Sequence, residues 1–133
     1  MGHLEQVKTL RADTQQHYNC AQAILVAFSD ELGMTKEDAD SLGAMFGSGM
    51  LHGSTCGTIS AAFMILGKKG YEKTEAGSLL REFVEKHGST HCSDLLASSQ
   101  ALGIPRKQHC DGLVFEMTEY LDRLFEENGK EQQ

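Results

Sequence analysis

Apolar residues recur at helical spacing along almost the whole chain, and no segment shows the strict alternation of a half-buried strand. Leu4, Val7 and Leu10 form one stripe, and Ile24, Ala27, Phe28 and Leu32 form a second running on from Cys20. Leu79, Leu80, Phe83 and Val84 form another, and Leu113, Met117, Leu121 and Leu124 recur on one face near the end, with charges on the others. This pattern leaves an all-α fold of about six or seven helices in a single domain over residues 1–133, with a frayed tail over about 126–133. A chain of 133 residues is long enough to bury roughly two-thirds of its unfolded surface, so no covalent staple is needed. A single proline and 14 glycines suit helices broken by glycine turns.

Helix ends are marked by side-chain chemistry. Asn19 is placed to cap the helix opening at Cys20, and Gly33 to end it in a left-handed turn. Thr35, with Asp38 three residues on, predicts a helix running through Leu42 and Met45. The run Phe46-Gly47-Ser48-Gly49-Met50-Leu51-His52-Gly53-Ser54 is a break where backbone can take positive φ or approach another group closely. It has neither the lysine of a P-loop nor the flanking strand of a Rossmann turn, so close packing or the positioning of a thiol is its expected role. The next helix starts near Cys56, with a narrow stripe of Cys56, Ile59, Ser60, Phe63 and Gly67 that suits close approach of a neighbour. Another stops near Gly88, a short one capped by Ser89 or Thr90 begins around Cys92, and the last follows Gly103 and Pro105.

All four cysteines, Cys20, Cys56, Cys92 and Cys110, fall where a helix is expected to begin. Unpaired N–H groups there favour an anion by about 0.3–1 kcal/mol, which lowers a thiol pKa by less than about one unit. A reactive or metal-bound thiolate therefore needs a second source of positive field. His17, His52, His91 and His109 each lie within four residues of a cysteine and are weaker candidates for tuning or ligation; solvated helix-end histidines are the plainer account of each. There is no C-x-x-C, hence no thioredoxin-type dithiol, zinc ribbon or covalent haem motif. Packed core cysteines account for the spacing equally well.

Twelve basic against 19 acidic side chains give a formal charge of -7, which disfavours nucleic acid. No apolar run is long enough to cross a bilayer, and the first residues lack a signal-peptide core, so a cytoplasmic protein without membrane contact is expected. In a reducing compartment, thiol chemistry or metal binding gains weight over stable disulfides.

Tyr18-Asn19-Cys20-Ala21-Gln22-Ala23, then Phe46-Gly47-Ser48-Gly49 leading to Cys56-Gly57, then Gly88-Ser89-Thr90-His91-Cys92, and finally Cys110, together resemble the C-GCAxxG-C-C family of redox-active proteins over roughly Tyr18 to Leu124. Around Cys56 the chain departs from that pattern: Thr55, Gly57 and Ser60 stand where glycine, alanine and glycine are expected. The resemblance implies an all-helical fold and cysteine-based redox function. Its kinship with a domain of split-Soret-type cytochromes implies an iron-sulfur centre as cofactor.

Two chemistries follow for Cys20, Cys56, Cys92 and Cys110: binding of an iron-sulfur cluster or other metal through thiolates, or cycling between dithiol and disulfide. A redox partner protein and a second copy of the chain, as a dimer, are the expected partners. The rival from another class is a non-catalytic helical binding or oligomerisation module with structural cysteines. A third reading makes Cys56 a nucleophile beside His52.

Overall fold

The computed structural model describes residues 2–132, and residues 2–128 with their side chains. Its described residues form eight α-helices: α1 (Leu4–Ala12), α2 (Cys20–Ala27), α3 (Ser29–Leu32), α4 (Lys36–Gly43), α5 (Gly57–Lys68), α6 (Lys73–His87), α7 (Cys92–Ala101) and α8 (Arg106–Gln132). A five-residue helical turn, Gly49–Gly53, makes nine segments where six or seven were expected. The all-α expectation holds: among the described residues the only β pairing is an isolated bridge between Thr55 and His91.

α2 is the centre of the molecule. Ala21, Ala23, Ile24, Leu25, Val26 and Ala27 are all buried, which a helix of eight residues achieves only when neighbours cover it on every side. α1, α4, α5 and α8 provide that cover. Ile59, Ile65 and Leu66 of α5 and Val114, Met117 and Leu121 of α8 join Ile24, Leu25 and Phe28 in one core. Each such side chain stabilises the fold by roughly 1.5–3 kcal/mol on burial.

The capping predictions at Asn19 and Thr35 hold. The Asn19 side chain accepts the Gln22 N–H at 2.7 Å while the Gln22 side chain accepts the Asn19 N–H at 2.9 Å. Thr35 Oγ1 accepts the Asp38 N–H at 3.0 Å, and Gly33 closes its helix at φ 68°. That helix is not continuous from Cys20, however: it breaks at Phe28, whose ring is fully buried against Phe125 and His3, and the last turn restarts as α3.

Three further expectations need correction. α4 stops at Gly43, leaving Leu42 and Met45 exposed while Ala39 and Gly43 face inward. The buried face of α5 is Thr58, Ile59, Ala61, Ala62, Ile65 and Leu66, and Phe63 and Gly67 point outward. The wider aliphatic face outweighs the single aromatic ring. At α7, His91 occupies the N-cap; Ser89 Oγ instead accepts the His91 N–H at 3.0 Å and donates to Asp94 at 2.9 Å. Helix α8 continues to Gln132, and the expected fraying over 126–133 concerns an end whose side chains from 129 on, and Gln133 altogether, lie outside the described residues. Among the described residues no helix is long and apolar enough to cross a membrane.

Candidate functional site

Cys56 and Cys92 are brought together by backbone. The segments on either side of Thr55 and His91 run antiparallel, so that the Cys56 N–H bonds Thr90 O at 2.8 Å and the Cys92 N–H bonds Ser54 O at 2.7 Å. Two cysteines far apart in the chain thus sit across one short bridge at the starts of α5 and α7.

The glycine-rich segment seats these two starts against that of α2. Ser48, Gly49, Met50 and Leu51 lie in succession in the left-handed region, at φ 52°, 62°, 60° and 66°. Each non-glycine member costs about 1–2 kcal/mol, which the surroundings must offset. The Ser54 N–H closes the turn onto Gly49 O at 2.7 Å, Ser93 Oγ donates to Gly53 O at 3.1 Å, and Arg106 donates to Ser48 Oγ at 2.9 Å. A Cβ on Gly49 would lie 2.4 Å from Ser54 O and 2.7 Å from Cys92 Cβ, so only glycine lets the turn come this close. A Cβ on Gly57 would meet Phe46 O at 2.9 Å and the Ala21 N at 3.3 Å, which ties the start of α5 to that of α2, where Cys20 sits. The thiol-positioning role expected of this segment thus has a physical basis in three crowded helix starts.

All four cysteines line one cavity of about 330 Å³. His17 and His109 also line it, whereas His52 and His91 do not. His52 is exposed and pairs with Ser54 Oγ at 3.0 Å, while Cys56 Sγ lies 3.1 Å from Thr58 Oγ1. His52 and Cys56 therefore do not form the nucleophile–base pair of the third sequence reading. Cys110 differs from expectation in position. It lies in the second turn of α8, because that helix begins at Arg106 directly after Pro105 rather than near the cysteine.

Three basic residues line the cavity, and among the described residues lining it none is acidic. Arg11 is buried, with Nε 2.6 Å from Asp111 Oδ1 and Nη1 donating to Tyr18 O at 2.7 Å. Lys107 donates to Arg11 O at 2.7 Å and approaches the same Asp111 at 3.2 Å. Arg106 has no carboxylate partner among the described residues, its bond to Ser48 Oγ being neutral. Two of these cations thus share one carboxylate beside the thiols, and the third has none.

The four thiols respond differently to this setting. Cys110 is pulled down to about 6, first by a hydrogen bond from the Cys20 thiol and then by the Arg11 and Arg106 guanidinium groups, which together outweigh its partial burial. Cys20 moves well upward, because that same bond keeps its proton on and burial reinforces it. Burial pushes Cys56 up against the opposing pull of the Thr58 hydroxyl and the Thr58 and Ile59 N–H groups. Burial raises Cys92 too, and it lowers His109, with the charge of His87 adding to the effect. Helix ends do not make the acidic thiol here: the cysteines at the starts of α2, α5 and α7 are all raised, and the one inside a helix is lowered.

Arg11, Arg106 and Lys107 were not among the residues singled out from sequence. Arg106 precedes Cys110 by four residues, a same-face spacing on a helix, and was findable once α8 was extended back to Pro105. Arg11 carries no comparable signal, since its partner Asp111 is remote in the chain. Among the described residues no three or more His, Cys, Asp or Glu side chains are grouped so as to hold a metal ion. The four thiols share a cavity in this conformation without forming a ready ligand set.

An all-helical domain that gathers four free thiols from four parts of the chain around one basic cavity belongs to the class of helical cysteine-redox proteins. The chain is a member of the family described as "putative redox-active protein (C_GCAxxG_C_C)", whose sequence profile matches residues 18–124 and thus covers every cysteine. No match to this chain was found among curated proteins or among solved structures.

Proposed function

We propose that the protein carries out thiol–disulfide exchange, with Cys110 as the attacking thiolate and Cys20 as the resolving thiol. The observation that carries this reading is that Cys20 and Cys110 line one cavity together with Arg11 and Arg106, a setting that holds Cys110 low while Cys20 keeps its proton.

The Cys110 thiolate attacks one sulfur of an external disulfide; a new S–S bond forms to Cys110 and the other half of the substrate leaves as a thiolate. Cys20 then loses its proton and attacks the Cys110 sulfur, expelling the second half as a thiolate. The protein ends as a Cys20–Cys110 disulfide, having given two electrons to the substrate disulfide, with charge balanced by the thiol proton released to solvent. Cys56 and Cys92 also line the cavity, held by the Thr55–His91 bridge, with raised pKa values that keep them protonated near neutrality.

The test is oxidation of the reduced protein by a small disulfide, followed by peptide mapping and by iron and acid-labile sulfide analysis of anaerobically purified protein. A Cys20–Cys110 link with Cys56 and Cys92 free supports the reading. Stoichiometric iron and sulfide, or thiols that stay unlinked, would overturn it.

A further inference from the structure

Resting on the exchange reading above, we infer that the substrate is a small disulfide carrying negative charge close to its S–S bond, recognised by Arg106 together with Arg11 and Lys107. The cavity of about 330 Å³ falls at the small end of ligand-sized sites, suited to a low-molecular-mass compound rather than to a folded protein's surface disulfide. Cys56 and Leu95 are buried in its wall, so the occupant must present an apolar, sulfur-sized centre to them.

The charge around that centre is one-sided. Asp111 is shared between Arg11 and Lys107, at 2.6 Å and 3.2 Å, and one carboxylate cannot neutralise two cations. Arg106 is exposed, donates to the neutral Ser48 hydroxyl and reaches the Cys110 sulfur, and has no carboxylate partner among the described residues, so its planar array of N–H donors beside that sulfur suits an incoming carboxylate. These groups lie on the first two turns of α8 and on the adjoining α1, beside the attacking sulfur. A free thiolate repels an anionic disulfide and attracts a cationic one; here the surrounding cations invert that order.

The experiment compares three disulfides of similar size, 3,3′-dithiodipropionate (dianion), bis(2-hydroxyethyl) disulfide (neutral) and cystamine (dication), as oxidants of the reduced full-length protein at low salt. The dianion should react about tenfold faster than the dication, in line with electrostatic focusing in a charged cleft, and the gap should close at high salt. Arg106→Gln should reduce the dianion-to-dication rate ratio severalfold. That ratio is taken within one variant, so any change in the amount of thiolate cancels. Equal rates or a preference for cystamine, with the Cys20–Cys110 disulfide still formed, would overturn the charge selectivity and leave thiol exchange standing. If none of the three produces that disulfide, both readings fall.

Discussion

Cys56 and Cys110 line the same cavity, yet one is 4% exposed among aliphatic side chains and the other sits beside two guanidinium groups on the first turns of α8. The wall holding Cys56 and Cys92 is made of backbone: a one-residue bridge, a left-handed turn and glycines at van der Waals limit. The wall holding Cys20 and Cys110 is made of side-chain charge: Arg11, Lys107, Asp111 and Arg106. The difference teaches that position and acidity are supplied separately. Backbone fixes where a sulfur lies, but burial beside a helix start raises its pKa, and only the guanidinium-flanked sulfur, with a thiol partner donating to it, becomes anionic near neutrality.

The sharpest way to break the backbone wall is Gly49→Ala. A methyl group 2.4 Å from a carbonyl oxygen, at φ 62°, should destabilise the fold by about 3 kcal/mol in urea unfolding and separate Cys92 from the other thiols. A loss within experimental error would mean the turn is not tight. On the charge wall, Arg11→Met removes a buried cation and leaves Asp111 with Lys107 alone; a loss of about 2 kcal/mol is expected, together with an upward shift of the Cys110 titration.

Stability should also depend on pH through these thiols, with one sign for Cys110 and the opposite sign for the other three. The folded pKa of Cys110 lies below the ordinary thiol value of 9.0, so its contribution is complete above that value and is lost as pH falls toward about 6. Cys20, Cys56 and Cys92 are raised, so their contribution is present below 9.0 and is lost as pH climbs through their folded values. Chemical unfolding across this range should give stability rising from about pH 6 and falling in alkali, and Cys110→Ser should remove the rise and lessen the alkaline fall, since Cys110 is the first cause of the raised Cys20. Arg106→Gln, at an exposed position, should slow Cys110 alkylation at neutral pH severalfold while leaving it nearly unchanged in alkali. Gly77→Ala, far from both walls in an open helical position, should stabilise by about 0.5–1 kcal/mol.

What sequence made legible was local chemistry. The Asn19 and Thr35 caps, the left-handed end at Gly33 and the helical class all follow from side chains acting within a few residues of themselves. The break at Phe28 was not legible, since it depends on where Phe125 and His3 place their rings. Nor was the outward turn of Phe63, which a wider aliphatic face decides. The start of α8 was missed because Arg106-Lys107-Gln108-His109 is polar and carries no stripe, although Pro105 precedes it. The cysteines were legible as candidates from their spacing and their family resemblance, but the one local signal that sets Cys110 apart, Arg106 four residues before it, is legible only once α8 is begun directly after Pro105. The rest of the distinction comes from Arg11, a residue far away in the chain, and from the neighbouring Cys20 thiol.

The most direct measurement is the pH dependence of alkylation resolved cysteine by cysteine with mass spectrometry. Cys110 should label fast with a midpoint at about 6, and Cys20, Cys56 and Cys92 should label slowly until alkaline pH. Four thiols that label slowly and together would contradict it, as would a fast thiol at any other position.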